Sequence, residues 1–352
     1  MSEVRPPATL ERDLARAEQE RFDLVVVGAG IYGIMSALEA SRRGLKVCLI
    51  DAGDFHSGVS FHSLRILHGG LRYLQSMDLP RFFESVGERR WFFRHLPEQC
   101  EVLPCLMPLY GEGLKRPSTF RVALWMNDAL SRRRNAGVPE HVHLPGGRVL
   151  GPGDTARRFP AVRPEGLRGA GCWPDGRMRC HQRIAMELLR WAATCGALCL
   201  NYVRAESLRV EGGAVTGLEV LDVRTGRPLT LRAERVLNTA GPGCRALAGA
   251  WHKDVPELFR PTVAFNLMLE ADPPSDHAVA VAPPGPGART FFVTPWHGRT
   301  FAGTYHTDDS ATVERGAPSD ELVARMLSDL REAIPGWDVR PEHVVRVHAG
   351  KL

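Results

Sequence analysis

The sequence predicts an α/β fold: a parallel βαβ unit joined to a second part built of antiparallel sheet and helices. Three observations carry this. Residues 22–51, FDLVVVGAGIYGIMSALEASRRGLKVCLID, read as strand, glycine-rich turn, helix, strand and terminal acid. A further apolar strand with a glycine turn arrives much later, in VLNTAGPG at residues 236–243. The runs around residues 206–236 and 260–308 are short, alternating and punctuated by Gly and Pro, which is the pattern of antiparallel sheet.

Leu24 to Val27 form a continuous apolar run that suits a strand buried on both faces. Gly28, Gly30 and Gly33 follow at GxGxxG spacing. Gly28 permits the tight turn, Gly30 lets the backbone approach a pyrophosphate, and Gly33 brings helix against strand, with Ala37 at a close-packing position. The helix N-terminus offers N–H groups and partial positive charge to phosphates. Gly44 closes the helix, and Val47 to Ile50 make a second strand ending at Asp51, 23 residues after Gly28. A carboxylate there can accept hydrogen bonds from ribose hydroxyls. The motif alone does not separate NAD from FAD.

A length of 352 residues suggests about two domains. The hydrophobic fraction of 44% and charged fraction of 24% are those of a soluble globular protein. No apolar run approaches bilayer length. Residues 1–21 read as a polar tail without an apolar signal core, so export is not expected. The pI is near 8.9, but the cations are scattered arginines with one cluster at Arg132, Arg133 and Arg134. No basic stripe marks a nucleic-acid module. The excess of +5 is compatible with an anionic substrate or membrane surface. Eight cysteines without CxxC pairs or zinc-ligand spacing predict free, mostly buried thiols and no metal site.

After Asp51 comes AGDFHSGVSFHSLRILHGGLRYLQ, residues 52–75. Its serines and paired glycines suit a backbone lying closely against an extended ligand. SLRILHGGLRYLQ closely resembles the S-x-K-L-I-H-G-G-L-R-Y-L signature of FAD-dependent glycerol-3-phosphate dehydrogenases. These are D-amino-acid-oxidase-like flavoproteins within the glutathione-reductase-type FAD fold. VLNTAGPG resembles the family's second flavin-domain signature, and TFFVTPWHGRTFAGT its substrate-domain strand pair.

The resemblance implies a glutathione-reductase-type FAD-binding Rossmann domain with a mixed antiparallel-sheet and helix substrate/cap domain. It implies FAD as cofactor, held at Gly28, Gly30, Ile31, Tyr32 and Gly33, and at Asp51 and Ala52. It adds Ser60, Ser63, Leu67, Gly69 and Gly70, then Val203 toward the adenine, and Ala240 with Gly241. Arg72 and Tyr73 match family residues at the substrate site, and His68 is the candidate for proton handling. The implied reaction is oxidation of a secondary alcohol on a small anionic substrate such as glycerol 3-phosphate. Hydride passes to flavin N5, and electrons go on to quinone or another acceptor. Two other readings stay open: an oxidase or dehydrogenase of an amine, amino acid or 2-hydroxy acid, and a non-catalytic flavin-binding or flavin-free remnant. The expected location is cytoplasmic, with peripheral contact on the inner face of the membrane.

Residues 79–135 read as amphipathic helix, their aromatics either packing a cap-domain core or docking on a membrane. The helix over 116–135 is expected to set its three terminal arginines against the dipole. Residues 136–172 read as loops, and Gln182–Cys195 as a helix stopped by Gly196 and feeding a strand, Leu198–Val203. Asp175 and Arg183 are expected to form a structural salt bridge at that helix start. A β-meander is expected over 206–236, more strands over 260–308 with gaps at Pro273-Pro274 and Pro283–Pro286, and a helix over Ser319–Ile334. His297 and His306 read as surface residues. The expected division is 22–80 with 150–250 as FAD-binding domain and 81–149 with 255–348 as cap. Residues 349–352 would match the start of the family's flavin-facing G-x-R-P-L-like segment, of which the rest is missing here.

Overall fold

The computed structural model describes residues 9–111, 113–250, 261–285 and 287–352. Its strands are β1 (Arg21–Val27), β2 (Val47–Ile50), β3 (Ile66–Leu67), β4 (Cys100–Leu109), β5 (Arg148–Leu150), β6 (Gly169–Met178), β7 (Leu198–Leu200) and β8 (Val203–Glu211). They continue with β9 (Ala214–Asp222), β10 (Arg227–Asn238), β11 (Val263–Leu269), β12 (Ala278–Val281), β13 (Phe291–Trp296), β14 (Arg299–Thr307) and β15 (Val344–Lys351). The helices are α1 (Leu14–Gln19), α2 (Ile31–Arg42), α3 (Leu79–His95), α4 (Pro117–Leu130), α5 (Pro152–Arg158), α6 (His181–Thr194), α7 (Cys244–Ala250), α8 (Ser310–Arg315) and α9 (Asp320–Ala333).

The chain divides into two units. The first takes the described residues of Met1–His62, Cys180–Pro261 and Lys351–Leu352. Its six-stranded sheet runs β7-β2-β1-β10-β9-β8. The four strands from β7 to β10 are parallel, and β9 and β8 add antiparallel. The apolar run of β1 is central, so Val25, Val26 and Val27 are buried, as a strand covered on both faces requires. Leu218, Val220, Leu229 and Leu231 of the meander extend the same core. The expected tail is partly ordered: α1 is capped by Asp13, and Arg12 pairs with the buried Asp222 at 2.5 Å. Residues 1–8 of that tail lie outside the described residues.

The second unit takes Ser63–Arg179 and Thr262–Gly350. Its sheet runs β15-β11-β14-β13-β12-β4-β6-β3, with β5 also on β6. Phe265, Phe291, Leu327 and Leu330 lie in its main core, where α9 covers the sheet. The expected helix over 319–334 and the strands over 260–308 are present, while Pro286 lies outside the described residues.

Three expectations are corrected. The stretch 79–135 is not all helix, because β4 separates α3 from α4; and 169–178, read as loop and helix approach, is strand β6. Prolines hid both strands. Pro104 stands opposite Pro174, and Pro108 opposite Ala170. Two prolines can face each other only in a non-hydrogen-bonded antiparallel pair, where neither N–H is needed across that ladder. Four residues on, Pro108 has the same parity. The arginine cluster also lies beyond the end of α4, whose last turn holds no cation. Arg134 instead binds Asp128 at 2.9 Å and the Leu144 and Pro145 carbonyls.

The domain boundaries move for a related reason. β3 pairs with β6, and β6 along its whole length with β4, so 63–80 and 150–179 belong with the cap sheet. The expected boundary near 250–255 falls largely on residues outside the description. Phe82, Phe92, Phe93 and Phe120 are buried, as the core reading requires, but Phe83, Val122 and Trp125 are exposed. Among the described residues no helix is long and apolar enough to cross a membrane. All eight cysteines are free, and Cys48, Cys100, Cys105, Cys172 and Cys199 are buried. Burial pushes the Cys100 and Cys199 thiols up to about 12, so both stay protonated.

Candidate functional site

In the first unit the residues predicted to meet a dinucleotide gather at the C-terminal ends of β1, β2 and β10. Gly28 has φ +99, and a Cβ there would lie 2.6 Å from the Ala240 backbone. A Cβ on Gly33 would lie 1.8 Å from the Gly28 carbonyl oxygen. Both glycines are demanded by packing. Gly30 differs: its Cβ would meet only the Ser60 hydroxyl, at 3.2 Å. Gly30 caps α2 with no side-chain bond, and Ile34 N–H makes the first helical bond back to it. The amides of Tyr32 and Gly33 therefore precede the helical ladder, while that of Ile31 donates to Ser60 Oγ at 3.0 Å.

Asp51 follows β2 with its carboxylate engaged. Oδ2 accepts the Ala29 N–H at 2.6 Å and Oδ1 the Gly53 N–H at 2.8 Å, so the acid ties the glycine turn to the next loop. Each oxygen keeps a further lone pair. Ala52 and Tyr32 are exposed. Val203 is buried and donates its N–H to the Asp51 carbonyl at 2.7 Å, so that N–H is already committed. Thr239, missed in the sequence, donates Oγ1 to the carbonyls of both Val27 and Gly28 at 2.9 Å. It locks the Ala240-Gly241 turn onto the glycine loop.

The remaining predicted residues lie in the second unit. Ser63 has a buried hydroxyl without a hydrogen-bond partner among the described residues. Leu67 lies in β3 opposite Gly176. Gly69 and Gly70 are buried. Arg72 and Tyr73 follow in a 3-10 turn, Leu71–Leu74, with the Arg72 guanidinium 5.3 Å from the Tyr73 ring centroid. The His68 ring is 6.0 Å from the same phenol. Thus His68, Arg72 and Tyr73 do form one cluster. His68 keeps a solvent-facing edge. Burial of the rest, with the Arg72 and Arg89 cations, holds its imidazole below the ordinary range, against an opposing pull from Asp175. His306 is lowered likewise, by burial, then Arg289 and Arg72. His297 and His306 are both exposed.

Asp175 is not paired with Arg183. It sits in β6, buried, against the buried Arg89 of α3 at 2.6 Å. Its Oδ1 also accepts the Gly69 N–H at 2.6 Å. The sequence signal for Arg89 was its place in the stripe Phe82, Val86, Arg89, Phe93: a cation at helical spacing among apolar residues needs a buried partner.

The first unit carries a glycine turn on a βαβ crest, the arrangement of a nucleotide-cofactor fold; the second carries a mixed sheet with the His68, Arg72 and Tyr73 cluster. The family model for FAD dependent oxidoreductases matches residues 23–351, and the chain belongs to that family. It is 26% identical over 349 residues to a glycerol-3-phosphate dehydrogenase of Synechocystis sp., an alignment covering 96% of the chain and 62% of the relative. It is 29% identical over 347 residues to an alpha-glycerophosphate oxidase of Streptococcus pneumoniae, covering 97% and 56%. The chain therefore spans about three-fifths of these relatives' length. Among solved structures, the glycerol-3-phosphate dehydrogenase from Bacillus halodurans complexed with FAD has a TM-score of 0.71 at 23% identity, covering 96% of this chain and 58% of that one. The fold is thus that of the FAD-binding flavoproteins, with the Rossmann unit and the mixed-sheet unit expected from the sequence.

Proposed function

We propose that the chain binds FAD and oxidises the secondary alcohol of glycerol 3-phosphate or a similarly small anionic substrate. Electrons leave to a quinone or another acceptor. The observation that carries the substrate part is the cluster of His68, Arg72 and Tyr73: a proton-accepting imidazole, an anion-binding guanidinium and a phenol within about one residue's reach of each other. The named activities of the two relatives support the choice of glycerol phosphate.

The residues present fit FAD. A Cβ on Gly30 would meet only the Ser60 hydroxyl, at 3.2 Å, the Tyr32 and Gly33 amides stand before the α2 ladder, and Asp51 keeps acceptor capacity. With FAD bound, the chemistry supplied is acceptance of a hydride at N5. The chain does the rest. Arg72 holds the anionic group by charge-assisted bonds and so orients the carbinol. His68 Nδ1 or Nε2 takes the hydroxyl proton as the C–H electron pair departs, so that a carbonyl forms and two electrons leave the substrate. An imidazole held below its ordinary range is neutral at pH 7 and ready to accept that proton.

The test is the visible spectrum of the FAD-loaded chain, before and after anaerobic addition of glycerol 3-phosphate. The flavin band should bleach. Bleaching only with amines, amino acids or 2-hydroxy acids would support the other substrate class, and failure to take up FAD would support a flavin-free remnant. The same reduction followed against pH should be level near neutrality. It should fall as pH drops through the lowered His68 value, below about 6.5. A rate independent of pH from about 5 to 8 would remove His68 from proton transfer.

A further inference from the structure

We propose that Asp175 and Arg89 are positioning residues: their buried pair holds the Gly69 backbone, and through it sets the orientation of His68 and Arg72 toward substrate. The proposal rests on the functional reading above. Arg89 and Asp175 are 3% and 4% exposed. Asp175 Oδ1 accepts from both the Gly69 amide and Arg89 Nη1, each at 2.6 Å, while Oδ2 accepts from Trp173 Nε1 at 2.9 Å. Arg89 Nη1 also donates to the Pro174 carbonyl at 3.0 Å. A Cβ on Gly69 would lie 2.2–2.4 Å from the guanidinium atoms, so the backbone lies directly on that cation. One side of the peptide is held by a carboxylate and the other pressed on the guanidinium. The loop has little freedom left.

A buried ion pair is weak evidence of stability, since apolar residues of similar volume often serve as well. This one is placed where geometry matters. It lies under the residue between His68 and Gly70, joins β6 to α3, and acts on His68 with opposite signs: Asp175 favours the protonated imidazole, while Arg89, together with Arg72, disfavours it. Tyr73 is a further titratable neighbour of His68, and Cys105 Sγ lies 4.0 Å from Asp175 Oδ2. A pair meant only to fasten α3 to the sheet has no need to reach the loop amide.

The experiment uses the full chain loaded with FAD, with 13C-labelled histidine and 15N-labelled backbone. The variants are Asp175→Asn, Arg89→Met and the double variant. NMR titration should move the His68 midpoint down in Asp175→Asn and up in Arg89→Met, and the Gly69 amide resonance should move in both. Lost packing alone would not produce opposed shifts. In anaerobic single turnovers with glycerol 3-phosphate, the limiting rate of flavin reduction should fall about 10- to 100-fold, with half-saturation little changed. Each single variant strands a buried charge, so the double variant is the folded control. It should melt near the wild type and keep the loss of rate. Unmoved His68 midpoints in folded single variants, or a double variant with wild-type rate, would overturn the proposal. If glycerol 3-phosphate does not reduce the wild type's flavin, the functional reading fails instead, while the opposed His68 shifts still test the pair.

Discussion

Gly30→Val should yield a folded protein that no longer retains FAD. The backbone at residue 30 has φ −70 and ψ 179, extended values open to any residue. A Cβ there meets only the Ser60 hydroxyl, which can rotate or shift by a few tenths of an ångström. The fold therefore tolerates the change at a cost of about 1 kcal/mol, including a poorer helix cap. The ligand does not. A valine fills the space through which a pyrophosphate reaches the amides at the start of α2. Losing two charge-assisted hydrogen bonds costs about 3–6 kcal/mol, which is about 10²- to 10⁴-fold in affinity. The purified variant should lack flavin absorbance yet melt close to the wild type stripped of FAD. A yellow Gly30→Val protein would place the cofactor elsewhere. Gly33→Ala is the contrasting case: its Cβ would enter the Gly28 carbonyl oxygen, and the protein should fail to fold.

Arg72→Ala should raise the concentration of glycerol 3-phosphate needed for half-maximal flavin reduction about 30- to 1000-fold. The range follows from losing one or two hydrogen bonds between a guanidinium and an anionic group, about 2–4 kcal/mol. Arg72 is exposed and rests on the Tyr73 ring, so its removal should leave the melting temperature nearly unchanged. Binding that is equal in ground and transition state shows in half-saturation alone, whereas a further drop in limiting rate would mean that Arg72 also orients the carbinol. Arg72→Lys should recover part of the loss, because it keeps the charge without the planar fork. An alanine variant with unaltered half-saturation would remove Arg72 from substrate recognition.

The glycine turn, its two strands and the acid after them were readable because their causes are local. GxGxxG spacing, a strand before it and an acid after the second strand all act within about 30 residues, and the structure places them on one sheet crest. The meander and the helices α6 and α9 were readable for the same reason, since period and turn chemistry are carried by adjacent residues. The HGGLRY segment was recognisable by resemblance, and nothing in its spacing assigns His68 a role.

What lay beyond reading was whatever depends on a partner far along the chain. β4 and β6 carry prolines that argue against strand, and they are acceptable only because Pro104 meets Pro174 in the right register. Arg89 and Asp175 are separated by 86 positions, and neither shows alone that it will be buried. The cap boundary moved because β3, two residues long, joins β6. Local spacing is set by backbone dihedrals and helix or strand period, so the chain itself displays it. Register between distant strands, and the pairing of buried charges, arise from which surfaces are excluded from water together, and that is a property of the packed molecule.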